Sequence, residues 1–334
     1  MKRWWAGLIL AGVVSVFAAE EPVSRIGFGS CYKPEKSTSL WGKVAEFDPQ
    51  VWLWLGDNGY PDVIGGKLIK KDLPKDAFKN GYAALGQSEG IATLKKLPAG
   101  HMMATWDDHD FGLNDAGKSW ARKDEAKDAF DAFWKQGVHE DGVYSARDFG
   151  PEGKRVRVIL LDTRYNRDDP GEEGDILGQT QWRWLEEELK KPGAQLMVIG
   201  SSIQVLANQH RFEKWGNFPK ARTRLFDLIR DTGAKGVILI SGDRHHAEIS
   251  KLERNPAGYP LFDVTSSGLT EKSSIRNETN DLRMGEVYVG RNFGVIQVDW
   301  NQADPTVSLE IRDEEGKRVR EISFPLSQLA PPRG

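Results

Sequence analysis

Residues 236–246 read GVILISGDRHH. The run Val237–Ile240 is apolar and rich in branched side chains, and it stops at Ser241-Gly242, just before Asp243, His245 and His246. A short apolar run closed by Gly, Ser or Asp suits a strand buried on both faces. The whole chain has six histidines, and two stand side by side at this strand end. Five other stretches repeat the pattern: RIGFGSC (25–31), VWLWLGDNGY (51–60), HMMATWDDHD (101–110), RVRVILLDTR (155–164) and QLMVIGSS (195–202). Each is an apolar run that ends in polar residues.

Helical patterns lie among these runs. ARKDEAKDAFDAFWKQG (121–137) sets Phe130, Phe133 and Trp134 on one face and ends on glycine. GQTQWRWLEEELKKPG (178–193) and FPKARTRLFDLIRDTG (218–233) also read as glycine-closed helices. From about Ala247 the chain turns β-rich. Alternation of strand and helix predicts an α/β fold with its sheets covered by helices. In such folds the ligand sits beyond the carboxyl ends of the strands. The polar clusters lie at those ends, so six fragments become one candidate site.

Composition bounds the function. The chain has 334 residues, 28% of them charged, and a net charge of -3. That balance offers no nucleic-acid-binding surface. The first 22 residues read MKRWWAGLILAGVVSVFAAEEP. Lys2 and Arg3 precede an apolar run, Trp4 to Phe17, and the small residues Ala18 and Ala19 follow it. The run falls short of the ~20 residues that a membrane span needs. It predicts an export signal over residues 1–19, a single domain over 20–334, a secreted or periplasmic protein, and no stable membrane anchor. One cysteine, Cys31, excludes an intramolecular disulfide framework.

The strand ends gather Cys31, Asp57, Tyr60, Asp107, Asp108, His109, Asp243, His245 and His246. A thiolate, a phenolate, carboxylates and imidazoles make a metal-ligand set. No Gly-x-Ser-x-Gly elbow is present. Bare carboxylates would repel one another, and metal cations would relieve that. A phenolate with a thiolate favours a strongly charged ion such as ferric iron, and carboxylates favour a harder divalent ion beside it. Asp57 is placed to bridge the two. Asp107 reads equally as a metal group and as a cap of the next turn.

In order along the chain, FGSC, LGDNGY, WDDHD, the pair LDTR and GQTQWRWL, and SGDRHHAE resemble the motifs of alkaline phosphatase D-like metallophosphoesterases. The resemblance runs from about Arg25 to Ser267. It implies a four-layer αββα sandwich, two mixed sheets flanked by helices. It implies a two-metal site, Fe(III) with Ca(II), held by Cys31, Asp57, Tyr60, Asp108, Asp243 and His245. Cys31 stands where other metallophosphoesterases have an Asp-x-His pair. Asp57 takes the bridging position and Tyr60 supplies the phenolate. His109 takes the place of the catalytic histidine. The usual further histidine after the next strand is missing from VIGSSIQ, so Ser201, Ser202, Gln204 or a water must serve.

The implied activity is phosphoester hydrolysis by a metal-bound hydroxide, with His109 protonating the leaving oxygen. The resemblance covers monoesters and diesters, and the diester is the preferred reading. The alternative is a non-catalytic secreted metal-binding protein on a decayed scaffold; the complete ligand set argues against it. His246 is expected to face away from its neighbour by strand alternation, and WDDHD is expected to end its strand so that Asp108 and His109 face different directions for the same reason. Asp162 and Arg164 are expected to pair beneath the site. His210 and RFEKWGNFP are expected to flank the cleft, with His101 and His139 structural. The lysine-rich KLIKKDLPKDAFK reads as a solvated face.

Overall fold

A computed structural model describes residues 20–137, 139–275 and 277–332. The expected export signal lies outside the described residues. Strands run in the order β1 (Arg25–Gly29), β2 (Val51–Leu55), a short hairpin of β3 (Val63–Ile64) and β4 (Lys67–Leu68), β5 (Met102–Thr105), β6 (Ser145–Phe149), β7 (Val156–Leu160), β8 (Leu196–Gly200), β9 (Val237–Ser241), β10 (Ala247–Leu252), β11 (Leu261–Ser266), β12 (Asn292–Asp299), β13 (Thr306–Asp313) and β14 (Arg318–Pro325). Helices are α1 (Leu40–Phe47), α2 (Ala77–Gly86), α3 (Glu89–Leu94), the single turn α4 (Asp108–Phe111), α5 (Lys123–Trp134), α6 (Gly178–Lys190) and α7 (Pro219–Asp231).

Two six-stranded sheets form, ordered β14-β13-β12-β1-β2-β5 and β10-β11-β9-β8-β7-β6. Both are mixed. β1, β2 and β5 are mutually parallel, as are β7, β8, β9 and β11, while the remaining neighbours pair antiparallel. The strand VWLWL shows how residue alternation builds the layers. Val51, Leu53 and Leu55 join the core between the sheets, while Trp52 and Trp54 point into the core under α1, α2 and α5. Trp41 of α1 packs 5.5 Å from both tryptophan rings. On the far side, Trp182, Leu185 and Leu189 of α6 recur at helical spacing and are buried with Leu225 and Ile229 of α7. Each such burial stabilises by about 1.5–3 kcal/mol. The layers are therefore helix, sheet, sheet, helix, as expected.

Two local readings change. β6 was hidden because SARDF is an edge strand whose middle residues meet solvent, so it carries no apolar run. WDDHD does not end a strand at His109: β5 stops at Thr105, and Asp108 opens a helical turn. The different directions of Asp108 and His109 come from helical rotation, not from strand alternation.

Candidate metal centre and its cavity

The ends of β1, β2, β5 and β9 meet where the two sheets come together. Cys31 lies two residues past β1, Asp57 two past β2 and Asp243 two past β9. Among the described residues, nine non-glycine residues have a positive φ, and five of them are Cys31, Asp57, Tyr60, Asp243 and His245. Left-handed backbone costs an L-residue about 1–2 kcal/mol. Here it turns each side chain back across its strand end. Gly56 shows how tight the crossing is: its φ is +96°, and a Cβ there would come within 2.5 Å of the Asp107 Cβ.

Asp57 is the centre of the cluster. Its Oδ2 accepts from Cys31 Sγ at 3.3 Å and from Tyr60 Oη at 3.1 Å, and its Oδ1 accepts the His109 N–H at 3.3 Å. Donor atoms of Cys31, Asp57 and His245 lie within 4.8 Å of one another, as do those of Asp57, Asp108 and His109, and those of Asp107, Asp108 and Asp243. The structure thus gathers all six expected ligands and His109 into one group, with Cys31, Asp57, Tyr60 and Asp108 buried, His109, Asp243 and His245 half-buried, and Asp57 between its two halves. Ser267, after β11, ties the first half: its Oγ lies 3.0 Å from Cys31 Sγ and accepts the His245 N–H at 2.7 Å.

The electrostatics are those of crowded, desolvated acidic donors. Burial, then Asp57, pushes the Cys31 thiol well up. Burial, then Asp57 and Cys31, does the same to Tyr60. Burial raises Asp57 well above the carboxylate range despite His109, and raises Asp243, with Asp107 adding to it, to about 8. Asp107 keeps a buried Oδ2 without any hydrogen-bond partner. His245 is pushed down to about 4, chiefly by burial, so it is a neutral imidazole able to offer a lone pair. Cations placed here would hold the thiol, phenol and carboxyls in their anionic forms. The donor set therefore fits metal ions.

His109 is held differently. Its Nδ1 lies 2.8 Å from Asp62 Oδ2, and its ring stacks on Tyr60 with centroids 4.5 Å apart. Burial opposes its charge, but Asp108, Asp57 and Asp62 outweigh burial and raise it to about 11. Asp108 is drawn down to about 2, since His109 and Arg164 overcome its burial. The remaining ring nitrogen, Nε2, is left for the cavity that His109 lines.

That cavity, of about 680 Å³, is lined by Asp57, Asp108, His109, Asp243 and His245 of the cluster, by Arg167, Arg211, Arg244 and Lys272, and by the carboxylates Asp115, Asp169 and Glu213. Of the stretch expected to flank it, Arg211, Phe212, Glu213 and Asn217 line the cavity, whereas His210 is buried and does not. His246 is fully buried and does not line it; the reason is a turn through 242–246, since β10 starts only at Ala247.

Other expectations fail in detail. Asp162 and Arg164 do not pair through their side chains. Asp162 accepts the backbone N–H groups of Arg164 and Tyr165 and the Trp106 indole, while the Arg164 guanidinium reaches Asp107 Oδ1 at 2.6 Å and Glu213 Oε2 at 2.5 Å. Asp107 thus caps α4's turn and is also braced by Arg164 and by Ser202 Oγ at 2.6 Å. Ser202 reaches the cluster through Asp107. Ser201 bonds to Ile203 O, and Gln204 to Glu248 and Thr265, away from it.

The family model for PhoD-like phosphatases matches residues 26–284. This chain belongs to the PhoD-like phosphatase family. Alkaline phosphatase D of Bacillus subtilis (strain 168) is 25% identical over 227 residues, covering 57% of this chain and 37% of that relative's length. A solved structure of PhoD superposes over 92% of this chain and 69% of its own, with TM-score 0.68 and 16% identity. Purple acid phosphatase PPD1 from yellow lupin (Lupinus luteus) seeds superposes over 92% of this chain and 55% of its own, with TM-score 0.66 and 12% identity. These superpositions show the metallophosphoesterase-type fold.

In this PhoD-like chain, Asp62 and Ser267 contact the candidate site and Glu213 and Arg244 line its cavity, and sequence reasoning singled out none of the four. Asp62 had a signal, being two residues past Tyr60 in the same turn. Glu213 and Arg244 lie in stretches read as flanking or forming the site, but nothing local marked their pairing, because their partners Arg164 and Glu278 lie far along the chain.

Proposed function

We propose that this protein hydrolyses phosphoesters, with a preference for diesters, at the cluster around Asp57. The observation that carries this reading is the convergence of the Cys31 thiol and Tyr60 phenol on Asp57, which with Asp108, Asp243, His109 and His245 lines a cavity that also holds Arg167, Arg211, Arg244 and Lys272. Residues 20–334 act as one domain, which fits a core shared by both sheets. The apolar start, residues 1–19, is read as an export signal, so the working enzyme is secreted or periplasmic.

Cys31, Tyr60, Asp57 and His245 would hold a ferric ion, and Asp57, Asp108 and Asp243 a calcium ion. Bound there, the metals would supply Lewis acidity toward phosphoryl oxygens and a hydroxide nucleophile from water at neutral pH. The protein's own groups do the rest. Arg211, Arg244 and Lys272 draw the anionic ester into the cavity and orient its free oxygens. Asp62 holds His109 by Nδ1, and Tyr60 fixes the ring plane. His109 then gives a proton from Nε2 to the leaving oxygen.

Elemental analysis beside hydrolysis of aryl mono- and diesters tests this. Iron and calcium should accompany turnover, and Cys31→Ser should lose iron and activity together. His109→Ala should keep its metals and lose about 10²–10⁴-fold in rate. That loss should shrink for a nitrophenol leaving group, which needs no protonation. Metal without turnover on any phosphoester would instead support the non-catalytic scaffold. An equal loss on good and poor leaving groups would take the acid role from His109.

A further inference from the structure

The β3–β4 hairpin, Val63–Leu68, is unlike the rest of the surface. The exposed large hydrophobics among the described residues are Ile64 and Leu68, and both belong to it. Its turn is Gly65-Gly66, with φ of +58° and +76°, and a Cβ on either would meet nothing within 4 Å. The tip therefore projects into open space. Ile64 pairs with Lys67 and Val63 with Leu68, so the two exposed apolar side chains leave opposite faces of the ribbon. Lys67, Lys70, Lys71 and Lys75 surround it, all exposed and none in an ion pair among the described residues. The chain as a whole carries a net charge of -3, so this is a local basic patch on an acidic protein.

The hairpin also borders the cavity. Leu68, Ile69 and Lys70 share a small depression with Leu113 and Asn114, and Asn114 lines the cavity itself. At its base, Ile69 N–H donates to Asp62 O at 2.7 Å, and Asp62 is the residue that holds His109.

We propose that this hairpin docks the protein onto anionic lipid surfaces, with Ile64 and Leu68 entering the interface and the lysines meeting the headgroups. A free polyanion would satisfy the lysines but leave the apolar pair in water. A projecting tip, apolar on both faces, suits a soft interface better than the fixed surface of a folded partner. Docking is reversible, since two side chains are far less than a span, and it sets the cavity mouth beside the bilayer surface. It stands independently of the phosphoester reading.

Vesicle flotation tests it, using the purified exported protein after removal of residues 1–19, with phosphatidylcholine alone and with phosphatidylcholine–phosphatidylglycerol mixtures. Binding is expected only with the anionic mixture, and it should weaken with salt. Each of Lys67→Ala, Lys70→Ala and Lys71→Ala should lower partitioning about five-fold at low salt. Ile64→Ser combined with Leu68→Ser should lower it at least about ten-fold. All these variants should hydrolyse a soluble aryl diester at the parent rate. No binding to anionic vesicles, equal binding to neutral ones, or binding unchanged in the variants would overturn the proposal. So would hairpin-dependent capture of DNA or an acidic protein without vesicle binding. Because flotation reads no turnover, a failure of the phosphoester reading would leave its result intact.

Discussion

The strand ends fall into two kinds. Those of β1, β2 and β9 bend into left-handed turns and deliver Cys31, Asp57, Tyr60, Asp243 and His245. Those of β7 and β8 keep ordinary backbone and deliver braces. Asp162 gathers N–H groups, Arg164 spans Asp107 and Glu213, and Ser202 holds Asp107. The end of β5 stands between the two kinds, since Asp107 is braced while Asp108 and His109 face the cavity. The first kind spends stability on geometry: strained backbone and buried, mutually repelling donors. The second kind is fully paired and keeps the first in place. Candidate metal donors and their structural braces thus stand at adjacent ends of the same sheets.

The comparison makes its largest prediction at a brace. Arg164→Met would leave Asp107 and Glu213 buried without their shared cation, and should destabilise the protein by about 3–5 kcal/mol. Chemical denaturation measures this. Adding Glu213→Gln should recover part of the loss. A neutral effect would mean that the brace is not structural.

A smaller loss is expected where the two kinds touch. Gly56→Ala adds a Cβ against Asp107 at a backbone angle that alanine resists, and should cost about 1–3 kcal/mol. Thermal melting checks it, with the parent as reference.

The smallest effect has the opposite sign. Asp57 carries a raised carboxyl, so its folded form holds a proton more tightly than its unfolded form. Above the unfolded pKa of about 4 it therefore subtracts from stability, increasingly as pH rises, and below that pH the cost vanishes. Asparagine also suits left-handed backbone. In metal-free protein, Asp57→Asn should raise stability at neutral pH by on the order of 0.5–2 kcal/mol. The gain should fade as pH drops below about 4. In metal-loaded protein the same change should lose metal and activity. Melting curves with and without a chelator separate the two; destabilisation without metal at neutral pH would show that Asp57 is a brace after all.

Much of this was legible in the sequence. An apolar run ending in Gly, Ser or Asp is a local signal, and the six strands read that way are strands. The long helices α5, α6 and α7 showed their faces through spacing alone, and five motifs in order pointed to the family. The α4 turn was misread because two residues past a strand offer no period to distinguish a helix turn from a strand's continuation. β6 stayed hidden because an edge strand needs no apolar alternation.

The sequence by itself determined the donor chemistry: which side chains stand at the strand ends, and that a lone thiol, a phenol, carboxylates and imidazoles suit metal ions. The tertiary structure alone decided who holds them. Asp62 meets His109 from 47 residues away, and Arg164 meets Glu213 from 49. Left-handed turns bring five donors to the two halves of one cluster, and a hairpin that read only as solvated lysines leaves two apolar side chains exposed. Such pairings depend on distance in space, and a linear pattern carries only distance along the chain.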